Sequence, residues 1–108
     1  MAETVTVLVG RCTMQINCEP FFDNSTLANI RKLFRYIFQE PDRNTETIAA
    51  LGRYLPTKVA ETKAAWDDAS IARTNGWGLK CHEKRAKAKH EKYQKILTAF
   101  EAVKNKNT

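Results

Sequence analysis

The chain has 108 residues, 43% of them hydrophobic and 28% charged, which suits one soluble globular domain with its own core. Its formal net charge is +6 and its sequence pI about 9.4, a bias toward a polyanionic partner: nucleic acid, an acidic protein face or an anionic membrane. No stretch approaches the ~20 apolar residues of a membrane span, the start Met1-Ala-Glu-Thr is not a charged leader, and three cysteines argue for reduced thiols, so a cytoplasmic protein without a membrane role is expected.

Residues 4 to 18 alternate apolar and polar on both sides of Gly10-Arg11. A two-residue type II′ turn there pairs Val9 with Cys12, Val7 with Met14 and Val5 with Ile16. All six then share one face, which Cys18 extends, and a slip of one residue would destroy the agreement. The expectation is a β-hairpin with this face covered by helices. Cys12 and Cys18 lie about 20 Å apart at ~3.3 Å per residue, so they cannot bridge each other and are read as small core residues.

Pro20 cannot donate to a ladder and ends the strand, leaving Phe21 and Phe22 to tuck under the first helix. A run of capping residues, Asp23 to Thr26, opens a helix over about 25–39. Its wide apolar face is Leu27, Ile30, Leu33, Phe34, Ile37 and Phe38, with Arg31, Lys32 and Arg35 opposite. It stops before Pro41. A second helix over 45–55 takes Asn44 or Thr45 as its cap and Ile48, Leu51 and Leu55 as its stripe. Pro56 either kinks this helix or opens the next one, and a break is favoured, with a third helix over about 57–74. That helix carries two apolar strips, Val59, Thr62, Trp66, Ala69 and Ala60, Ala64, Ile71, and so is expected between two neighbours. Asn75-Gly76 signals its end, and the short Trp77-Gly78 turn leads into a final helix over 78–104, antiparallel to it.

The final helix has two halves. Tyr93, Ile96, Leu97, Phe100 and Val103 are an ordinary core face. Before them the stripe Leu79, His82, Ala86, His90 is thinly apolar, amid Lys80, Lys84, Arg85, Lys87, Lys89, Lys92 and Lys95. Glu83 and Glu91 can pair with Lys87 and Lys95 at i,i+4 for only about 0.2–0.5 kcal/mol each, which leaves a positive surface uncompensated.

Other chemistry is thin. His82 and His90 are two turns apart, about 12 Å at 1.5 Å per residue, and with Cys81 they lack a zinc-ligand spacing, so they are read as partly exposed and no metal or cofactor is expected. Asp67 and Asp68 are adjacent on a helix and diverge, and Cys81 sits among cations that favour a thiolate but has no assignable base. No nucleophile elbow, phosphate-binding glycine loop or zinc-protease motif occurs, so no enzyme is expected. Trp77, between two glycines, is read as a plug closing the end of the core or, if exposed, as the anchor for a partner; its size favours burial.

The expected fold is α+β: an N-terminal hairpin packed on three or four helices, ending in a long basic one. The expected function is non-enzymatic binding of nucleic acid or a nucleoprotein through residues 80 to 95, with Arg31, Lys32, Arg35 and Trp77. The alternative is a protein-directed inhibitor or adaptor filling an acidic or nucleic-acid-binding groove, as phage or mobile-element counter-defence proteins such as anti-CRISPR proteins do. A third reading is a homodimer through the stripe from Leu79 to His90.

Overall fold

The computed structural model describes residues 4–106. A two-stranded antiparallel hairpin, β1 (Thr4–Val9) and β2 (Cys12–Asn17), is followed by α1 (Cys18–Asn24), α2 (Leu27–Gln39), α3 (Thr45–Thr74) and α4 (Lys80–Lys106). The molecule is elongated, 54 × 25 × 21 Å.

The hairpin has the register that the alternation dictates, from Thr4 opposite Asn17 to Val9 opposite Cys12. Gly10 has φ +57° and Arg11 a negative φ, the pair of signs that a type II′ turn needs. The face is less buried than its pattern suggests. Val5, Val7 and Ile16 join the core, but Met14 is 40% exposed and Cys12 is exposed, because the turn end of β2 runs past the helices. The cover lies over β1, which packs on α2 and α3. Asn44 locks that contact. It is fully buried, accepts from the Leu8 amide at 2.8 Å and donates to the carbonyls of Leu8, Glu40 and Ile37 at 3.0, 3.1 and 3.3 Å. Asn44 thus stands at the cap position of α3 while its side chain clamps β1 and the end of α2.

Two prolines act differently from expectation. Pro20 lies in the first turn of α1, where an amide has no intrahelical partner in any case, so the chain turns helical directly after Asn17. Cys18 is therefore a buried residue of α1, not the end of a strand. The second correction concerns Pro56, which does not divide the chain: α3 runs unbroken for 30 residues. A proline ring collides with the carbonyl four residues earlier, and here that residue is the exposed Gly52, whose backbone is the easiest to tilt. Leu51 and Leu55, both fully buried, hold the flanking turns in place. Pro56→Ala restores the missing amide at an exposed position and is expected to stabilise the protein by up to about 3 kcal/mol, read as a higher urea midpoint.

Tyr93, Phe22, Phe34 and Phe100 are the largest fully buried side chains. Tyr93 donates to Asp23 Oδ1 at 2.7 Å, which joins α4 to α1. Burial raises the pKa of both core phenols: Tyr54 is pushed up to about 12, and Tyr93 moves the same way with its bond to Asp23 adding to the effect.

α3 and α4 form the expected antiparallel pair, but the core occupies only one end of it. On α3 the buried residues end at Thr62, and on α4 they begin at His90. Residues 63–89 contain no buried residue. They form a two-helix arm, about 18 Å long at 1.5 Å per residue. The strip Ala60, Ala64, Ile71 faces solvent, so α3 is not held between two neighbours along this length.

Candidate functional site

The base of the arm is sealed by a polar contact. Nδ1 of His90 lies 3.2 Å from both Thr62 Oγ1 and the Val59 carbonyl. The Trp66 ring covers His90 at 5.7 Å between centroids, and Lys63 Nζ sits 4.5 Å above that indole. His90 is therefore buried against α3, a correction to its reading as partly exposed. The same contact turns the stripe from Leu79 to His90 inward at its Ala86–His90 end, so it offers no continuous face to a second copy. Cys81 and His82 are exposed, and among the described residues no group of three His, Cys, Asp or Glu side chains could hold a metal ion.

The cations of α4 separate into two rows. Arg85, Lys89 and Lys92 recur at i, i+4 and i+7 and share one side. That side faces α1: Lys89 reaches Glu19 and Asp23 at 3.7 and 3.8 Å, and Lys92 donates to the Asp23 carbonyl at 2.7 Å. Two of the expected contact residues thus already have partners in the chain. α1 supplies them, and Pro20 hides α1 from a reading of helical periodicity.

Lys80, Lys84, Lys87, Glu91 and Lys95 form the other row, on the outer face. It runs about 22 Å at 1.5 Å per residue. Lys87 lies 3.9 Å from Glu91 and 5.9 Å from the Trp66 ring. At its far end the row enters a groove of about 960 Å³ between α2 and α4, lined by Arg31, Arg35, Glu91 and Lys95 among others. The structure therefore brings Arg31 and Arg35 to the end of the Lys row. Lys32 does not join them. It lines a separate hollow with Met14, Phe21 and Tyr36 near β2. Among the described residues Lys80, Lys84, Arg85, Lys95, Arg31 and Arg35 make no ion pair.

No family model, curated protein or solved structure matches the chain. No helix of the described residues is long and apolar enough to cross a membrane.

The tip of the arm overturns the expected burial of Trp77, which is 85% exposed. The backbone makes it so. Gly76 takes φ +81°, its amide bonds the Arg73 carbonyl, and the Trp77 amide bonds that of Ala72, which closes α3 in a Schellman motif. Gly78 then packs so closely on α3 that a Cβ would lie 2.9 Å from the Arg73 nitrogen. With the turn folded back on α3 and the core ending at Thr62, the indole has no interior to enter. Ile71 and Leu79, each 60% exposed, stand at the same end, and an Arg73–Glu83 pair at 3.0 Å ties the two helices below it.

Proposed function

We propose that the protein is a non-enzymatic binding module that grips the phosphate backbone of nucleic acid with the outer row of α4 and the adjoining α2–α4 groove. One observation carries the reading. Lys80, Lys84, Lys87, Lys95, Arg31 and Arg35 follow one another along a single face with Glu91 among them, and all but Lys87 lack an intramolecular ion pair among the described residues. Folding gives no reason for this row. Lys80 stands in the first turn of α4, where the macrodipole disfavours a cation by about 0.3–1 kcal/mol. The row also buries no side chain, and among the described residues its one ring contact with another element is Lys87 at 5.9 Å from the Trp66 ring. A surface of lysines suits phosphates, which need charge, better than base edges, which need the fixed fork of arginine.

Fluorescence anisotropy against short single-stranded and duplex DNA and RNA tests the proposal. Binding is expected at about 50 mM salt, with affinity falling on the order of 10³-fold by about 200 mM for some six phosphate contacts. Absence of binding to all four at the lower salt overturns it and directs attention to an acidic protein groove.

A further inference from the structure

We infer that Trp77 is a stacking platform for an unpaired nucleobase, so that the arm prefers single-stranded nucleic acid to duplex. The inference rests on the phosphate-binding reading above and assigns the tip of the same arm. Trp77 is 85% exposed, and among the described residues neither ring nor cation lies against its indole. It is nonetheless held in place. The Schellman closure before it and the tight packing of Gly78 after it fix its backbone on both sides. An aromatic side chain has two χ angles to lose on binding, so a fixed backbone leaves little further ordering cost.

The surroundings select the ligand. Lys80, Lys84 and Arg85 occupy the first two turns after the indole and make no ion pair among the described residues. An apolar face beside unpaired cations matches a ligand that alternates flat rings with negative charges, which is the repeat of a nucleic-acid strand. A duplex shows its bases only as edges on the groove floor, and an indole offers one N–H for reading edges. What Trp77 can give is its face, and a base accepts that only when it is out of the stack.

The test uses Trp66→Phe, which leaves Trp77 as the sole tryptophan of the full chain. Titration with oligo(dT) at about 50 mM salt is expected to quench its emission, while a duplex of equal length binds without quenching and more weakly. Trp77→Ala is expected to weaken oligo(dT) binding about 5- to 150-fold, the usual worth of one stacked base, with duplex affinity and the salt slope unchanged. Trp77→Phe, which keeps a stacking face, recovers most of the loss. Trp77 is exposed, so these variants fold alike. Equal binding of both forms with no quench and no effect of Trp77→Ala overturns this inference and leaves the phosphate-binding reading standing. Binding of neither form overturns both, as expected if the tip anchors a protein instead.

Discussion

Replacing Lys80, Lys84 and Lys95 together by glutamine is expected to lower affinity for single-stranded DNA on the order of 10- to 100-fold and to flatten the plot of log affinity against log salt by about two units, at ~0.7 per phosphate lost. All three side chains are exposed, and Lys95 lies at the mouth of the groove holding Arg31 and Arg35. Surface substitutions of this kind change stability by within about 0.5 kcal/mol each, so lost binding reports the site. The second row supplies the control. Lys89→Gln with Lys92→Gln removes as much charge per residue, but from side chains already engaged with Asp23 and Glu19. Its effect on the slope is expected to be less than one unit. If both variants lose equally, the net charge binds and no particular face does. If the triple variant keeps its slope, the outer row is not the site.

Phe22→Ala is expected to cost about 3–5 kcal/mol, a large part of the 5–15 kcal/mol that holds a domain of ordinary stability. Phe22 is fully buried, and its ring meets Tyr54 at 6.0 Å, Phe34 at 6.2 Å and Tyr93 at 6.4 Å between centroids. It is where α1, α2, α3 and α4 come together. Urea unfolding should show a lower midpoint at an unchanged slope. A loss under about 1 kcal/mol would mean that the surrounding rings close the cavity, contrary to a site walled by four elements.

What could be read from the residues divides by the range of the interactions involved. The hairpin was legible because alternation and Gly10 are local: the turn at Gly10 sets the register, and a slip of one residue would part Val5 and Val7 from Ile16. The face of α2 and the Asn75-Gly76 end of α3 were legible for the same reason. The prolines misled because a sequence shows what proline removes but not whether the lost bond matters. At Pro20 no bond was due, and at Pro56 Gly52 and the buried leucines accommodate the loss. The site was legible as charge and illegible as geometry. That Lys89 and Lys92 meet α1, that Lys32 turns toward β2, and that Arg31 and Arg35 prolong the α4 row all depend on how α2 and α1 cross α4. Trp77 was misjudged because its burial depends on where the core ends, which no residue near it records.

The seal at Thr62 and His90 separates a buried core from an arm without buried side chains, and the two are expected to differ in stability. Beyond it no side chain is buried, so opening the arm exposes little apolar surface and costs a small part of the global free energy. The arm is expected to open while the hairpin, α1, α2 and the core halves of α3 and α4 stay folded. A thermal midpoint therefore reports the core and is nearly blind to the arm, and a variant that unravels the tip will pass as stable in a melting curve. Affinity for a ligand held by the arm is therefore expected to be a more sensitive gauge of the arm's integrity than a melting curve.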